Sequence, residues 1–152
     1  MIASVSLATT DPKAKLGDRY NSPDGNSYQY VRANGALVVG TMGIIDEAGD
    51  FTPMTTTNAG AIPTPVGAAA AIAADNEYLW AVRRGASFTV LAKASCVLDV
   101  KLYTHASAGY VDDTITTLVE GLRLNATVGG SDAAANASAA VDMTVNTYSD
   151  VS

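Results

Sequence analysis

Reactive side chains are scarce in this sequence, which holds one cysteine, one histidine and one tryptophan. With Cys96 alone, neither an internal disulfide nor a thiolate metal cluster can form within one chain, and the residue reads as a small buried apolar group. His105 stands alone too, so a His-rich metal site is excluded; beside Thr104 and Ser107 it reads as a surface residue in a turn. Charge is equally sparse, at 16% of residues against roughly 25% in ordinary soluble domains. A surface so short of charge suggests one covered by other protein. The nine Lys and Arg residues are scattered, and the net charge is −6. Both facts argue against nucleic acid and against an anionic membrane as the main partner. No apolar run approaches the roughly 18 residues of a membrane span, and the opening MIASVSLATTDPKAKLG lacks the pattern of a signal peptide.

What the chain does have is small residues, turns and strand periods. Its 152 residues fit one domain. From Glu77 to Ala92 bulky residues alternate on both faces, which predicts a central strand, a break at Gly85 and a second strand. Residues 1–16 show no sustained period and read as an extended N-terminal arm, either disordered or laid on a neighbour. Residues 17–147 read as the β-rich domain, and 148–152 as a short acidic tail. Within the domain, Pro23-Asp24-Gly25 predicts a hairpin turn and Asn34-Gly35 a second turn. The stretch Ala36 to Ile45 reads as a strand bent by its glycines, followed by an acidic turn at Asp46 to Asp50.

Val66 to Asp75 is ambiguous between helix and an alanine-lined strand of a small barrel, and the strand is the preferred reading because Pro65 and Gly67 bracket its start. Val97 to Thr104 alternates like a half-exposed strand, and Thr117 to Asn125 and Val141 to Thr147 read as further strands. Ala126 to Ala140 reads as a flexible loop or a short helix. Strand-like segments at 8 to 12 residue spacing without a strand-helix repeat point to an all-β fold, a small antiparallel barrel or sandwich.

No catalytic constellation emerges. The acidic groups Asp46/Glu47/Asp50 and Asp112/Asp113 lack the spacing of a calcium loop and read as solvated turns. The glycines do not form a phosphate cradle. Catalytic, cofactor and metal residues are therefore all assigned as none. Contact residues are easier to nominate. Arg83 and Arg84, adjacent at a strand end, point to opposite faces, so one can pair internally while the other reaches a partner carboxylate, the alternative being a solvated turn. Lys13 and Lys15 sit in the arm, and Tyr103 and Tyr110 offer rigid rings to an interface.

Three segments carry a likeness. They are Gly17-Asp18-Arg19-Tyr20 with Asp24-Gly25, then Val66-Gly67 to Trp80-Ala81-Val82 and Gly85, then Ala108-Gly109-Tyr110-Val111-Asp112-Asp113 leading to Glu120-Gly121. In this order the chain, over roughly 17 to 147, resembles the decoration or cement proteins of tailed-bacteriophage heads. The resemblance implies a β-rich, non-catalytic module made in the host cytoplasm and carried on the outer capsid surface. Its partners would be the major capsid protein and further copies of itself, as dimer or trimer. The arm at Met1 to Leu16, the Arg83/Arg84 corner and the Ala126 to Ala140 loop are the expected contact regions. Other readings stay open at this point: a tail or fibre component, or a glycan-binding β-sandwich module stacking sugars on Tyr103 and Tyr110.

Overall fold

The computed structural model describes residues 7–59 and 64–146. Residues 1–6 of the expected arm and the tail at 148–152 lie outside that range. Ten strands account for the regular structure: β1 (Arg19–Asn21), β2 (Ser27–Ala33), β3 (Met42–Ile45), β4 (Asp50–Pro53), β5 (Thr64–Ala69), β6 (Tyr78–Ala92), β7 (Leu102–Thr104), β8 (Tyr110–Asp112), β9 (Leu118–Leu124) and β10 (Ala133–Asn146). The all-β expectation holds, and among the described residues no helix is long and apolar enough to cross a membrane.

The strands close into two rings that share β6. In the first, β2 pairs with β4, β4 with β3, β3 with β5, β5 with β6 and β6 with β2. In the second, β6 pairs with β8, β8 with β7, β7 with β9, β9 with β10 and β10 with β6. Each ring has five members, and a closed ring of odd number cannot alternate direction throughout. One parallel pair per ring is forced by that parity, and it is β2 with β4 and β6 with β8. The strictly antiparallel expectation is corrected on this point.

A five-stranded ring has little room inside, because barrel width grows with strand number. The first ring is accordingly filled by Val31, Ala33, Ile45, Ala69, Leu79 and Ala81 around one large side chain, Phe51, which is fully buried. Gly43 lies beneath that ring: a Cβ there would come within 2.7 Å of Phe51 Cδ1. Alanine and glycine in β5 are thus demanded by the interior, as the strand reading of Val66 onward anticipated. The strand ends at Ala69, however, and Ala73 returns only as a bridge to Leu37.

β6 runs unbroken through Gly85, which corrects the expected break. Register shifts flank the glycine instead, against β2 near Arg83 and against β10 where Ala139 faces Gly85. The bend passes the strand from one ring to the next. Glycine is required because a Cβ at this position would collide with the Asn26 side chain. Of the even-numbered side chains of β6, Trp80 and Val82 on the outside of the first ring join Phe88, Val90 and Ala92 within the second in one core, while Arg84 and Ala86 at the junction are exposed.

The described part of the arm covers that outer face. Thr9 exchanges two backbone hydrogen bonds with Tyr78, the Lys13 amide donates to the Tyr30 hydroxyl at 2.9 Å, and Ala14 and Leu16 pack on the core. Beneath them Tyr20, Tyr28, Trp80, Tyr30 and Tyr78 form a connected aromatic group, with Tyr30 edge-on to Trp80 at 4.8 Å. Burying rings of this size stabilises by about 2–3 kcal/mol each. Residues 8–16 thus pack against the chain's own core.

Three further segments differ from expectation. Val97 to Val100 is turn, not strand, with Asp99 at φ 58°; its Val and Leu side chains alternate in sequence but are exposed. Only Leu102–Thr104 pairs. Ala36 to Thr41 is a turn-rich approach to β3, with Gly40 at φ 93°. The run 133–140 is neither loop nor helix but the first half of β10, paired to β6 on one side and β9 on the other.

Candidate interaction surfaces

The junction of the rings is where the arginines meet. Between Ala139 and Thr144 the strand β10 bulges, so that 140–143 face Gly121 alone on β9. Gly121 sits at φ 88°, a conformation that favours glycine. The bulge moves β10 from β6 to β5 and carries Asp142 to the surface beside three arginines. Arg19 holds this carboxylate by both oxygens at 3.1 Å, and Arg84 Nε lies 3.7 Å away. The Arg19 hydrogen bond, ahead of the charges around it, holds Asp142 below the usual carboxylate range.

The opposite-face expectation for the arginine pair holds. Arg83 turns inward at 6% exposure and closes one end of the first ring. Its guanidinium donates to Gln29 Oε1 at 2.7 Å, to the Val66 carbonyl at 3.0 Å and to the Met143 carbonyl at 3.2 Å, joining β2, β5 and β10. Burial lowers its pKa from the usual arginine value, with Asp142 opposing that effect. Arg83 is therefore corrected as a partner-contact residue, because its donors are spent inside. Arg84 turns outward with half its side chain exposed.

The other nominated residues divide. Lys13 and Lys15 are exposed on the docked arm, their backbone amides bound to Tyr30 and Asp18. Tyr103 is buried at 5% exposure, which corrects it as a contact ring and removes one of the two sugar-stacking platforms. The alternation around it placed the ring outward, but all three side chains of β7 are buried, so neither face of the strand is open to solvent. Tyr110 is half-buried, with Lys93 Nζ 5.3 Å from its ring centre and tied to Asp132 at 2.6 Å.

The Asp46 to Asp50 group is a turn as expected, whereas Asp112 ends strand β8 and, like Asp113, is half-buried, which corrects the reading of that pair as a solvated turn. Asp46 accepts from the amides of Ala48 and Asp50, and Asp50 pairs with Arg32 at 2.6 Å. Cys96, Asp112 and Asp113 do bring ligand-type atoms within 4.8 Å of one another. These atoms are engaged by protein donors, however. The Cys96 thiol donates to Asp112 Oδ1 at 3.5 Å, and the Asp113 carboxylate accepts the Val97 amide at 3.0 Å. Burial first, then that hydrogen bond, pushes the thiol pKa up to about 12. It is a protonated thiol, so a metal would have to displace its proton. His105 makes the ordinary contacts expected of it, accepting the Ser107 amide at Nδ1.

Sequence reading missed the large apolar side chains left exposed in two loop regions. Leu37 and Ala73 form an antiparallel bridge, and the residues flanking it, Val38, Val39 and Ile72, are exposed, Ile72 at 71%. Val97, Leu98 and Val100 form the second group. The signal for both was present as apolar residues between glycines and turns, but it was indistinguishable from strand.

Among the described residues the fold is all-β, two five-stranded rings on a shared strand, and the candidate sites it offers are exposed surfaces. Searches against protein-family models, curated proteins and solved structures find no match.

Proposed function

We propose that the protein is a structural component of a tailed-bacteriophage head, binding the outer capsid surface and stabilising contacts between capsomers. The observation that supports this reading best is the pair of exposed apolar groups, Val38/Val39/Ile72 and Val97/Leu98/Val100, on a chain of low charge. Large apolar side chains grouped in solvent mark protein contact sites. A module that binds only the assembled shell stabilises that state by mass action, and repetition over a lattice adds avidity. The resemblance of the Gly17 to Tyr20, Val66 to Gly85 and Ala108 to Asp113 segments to decoration proteins points the same way. The partners are then the major capsid protein and other copies of the chain.

The test is fractionation of the phage particles that carry the gene. Co-sedimentation with heads at a fixed ratio to the major capsid protein is expected. Recovery with tails alone would establish the tail or fibre reading in its place, and absence from particles would refute both.

A further inference from the structure

Two grooves meet at Gly121 and Arg123 on the surface of the ring junction. One, of about 570 Å³, mixes signs: Asp99, Glu120 and Asp142 face Lys101 and Arg123. The other, of about 710 Å³, does not. Its charged lining is Arg84 and Arg123, and its floor is made by Gly85, Ala86, Gly121 and Ala139.

The two arginines have donors to spare. Arg84 Nε reaches Asp142 only at 3.7 Å, on an oxygen already accepting from Arg19. Arg123 meets Asp99 at 3.5 Å with both side chains more than 60% exposed, a pairing worth little. A guanidinium carries five N–H donors in a fork that matches a carboxylate. Between the two forks, glycine and alanine leave no side chain to keep another backbone away.

We infer that this groove docks an extended, carboxylate-bearing peptide segment, with Arg84 and Arg123 each taking one acidic side chain. On the reading proposed above, the segment belongs to the capsid subunit, and the inference about its biological owner rests on that reading. Two cations in a chain of net charge −6, with no aromatic ring lining the groove, suit a peptide better than a nucleic acid.

The test uses the full chain and a short fluorescein-labelled peptide alternating glutamate with glycine. Its glutamine counterpart and an oligothymidine serve as comparisons, read by anisotropy. The glutamate peptide alone should bind, salt should weaken it, and the double variant R84Q/R123Q should lose about tenfold or more in affinity. Both side chains are exposed, so unchanged melting of the variant would certify its fold. Equal binding of the glutamine peptide, tighter binding of the oligothymidine, no binding at all, or no loss in R84Q/R123Q would each overturn the inference. Head association separates the two claims. If R84Q/R123Q still decorates heads like the wild type, the groove is not the capsid contact; if the wild type fails to decorate them, the proposed function falls while the peptide result stands.

Discussion

Gly43→Ala tests whether the first ring is as tight as its residues imply. The added methyl would stand 2.5 Å from Phe51 Cζ and 2.7 Å from Cδ1, well inside ordinary contact. Phe51 is fully buried among Val31, Ala33, Ile45, Leu79 and Ala81, so its ring can give way only by displacing them. Overpacking of this kind costs about 2–3 kcal/mol, which for a chain of this size lowers the melting temperature by about 5–10 °C. The assay is urea unfolding with thermal melting followed by circular dichroism. Gly130→Ala is the control, because its Cβ meets nothing within 4 Å and its φ is not in the left-handed region. Adding Phe51→Leu to Gly43→Ala should recover part of the loss, whereas Phe51→Leu alone should destabilise by leaving a cavity. A Gly43→Ala protein as stable as the wild type, or strict additivity of the two substitutions, would refute the account of the ring interior.

Arg83→Met should destabilise by about 3 kcal/mol, since it strands the half-buried Gln29 side-chain oxygen and the Val66 and Met143 carbonyls, while Arg84→Ala should stay within about 0.5 kcal/mol; equilibrium unfolding of the two variants separates them. Cys96 should resist iodoacetamide at pH 8.5 in the folded protein and react once urea is added, as a thiol with its pKa near 12 requires. Because the folded value is raised, the stabilisation is full below the unfolded thiol pKa and fades as pH climbs from there toward 12. Cys96→Ser should flatten that alkaline limb in pH-dependent melting. Deleting residues 1–16 should lower the melting temperature and expose the Tyr30/Trp80 face to a fluorescent apolar dye, since Leu16 and Ala14 pack there; an unchanged melt would count against a docked arm.

The strands that could be read from the chain are those whose two faces differ. In β9, exposed Gly121 and Arg123 alternate with buried Leu122 and Leu124, and that alternation survives folding, while Leu118 and Val119 before them are buried side by side. The Pro23-Asp24-Gly25 turn was legible because its geometry is local, and it joins β1 to β2 as expected. The first half of β10 was not legible. Its Ala/Asn/Ser run has no intrinsic strand preference and is extended because β6 and β9 supply hydrogen bonds on both sides. The opposite failure occurred at Val97 to Val100, where alternation imitates a strand but the backbone turns at Asp99. A small barrel could be expected from its alanine-lined strand, but the closing of two rings on β6 could not be read, because it depends on which distant strands meet there.

The Arg-Arg pair shows how one local rule served both structure and surface. Neighbouring residues on a strand face opposite ways, so a dipeptide at the seam of two rings must divide its charges. Arg83 faces inward, where carbonyls of β5 and β10 and a side chain of β2 satisfy it. The same geometry forces Arg84 outward, 3.7 Å from the Asp142 carboxylate, into a groove whose charged lining is Arg84 and Arg123. A single substitution of either arginine therefore probes a different property: loss at Arg83 loosens the seam and every surface built on it, whereas loss at Arg84 removes a donor from an intact surface. Reduced partner binding by an Arg84 variant with wild-type melting would be evidence of contact; the same reduction in an Arg83 variant would report only on the joint that holds the rings together.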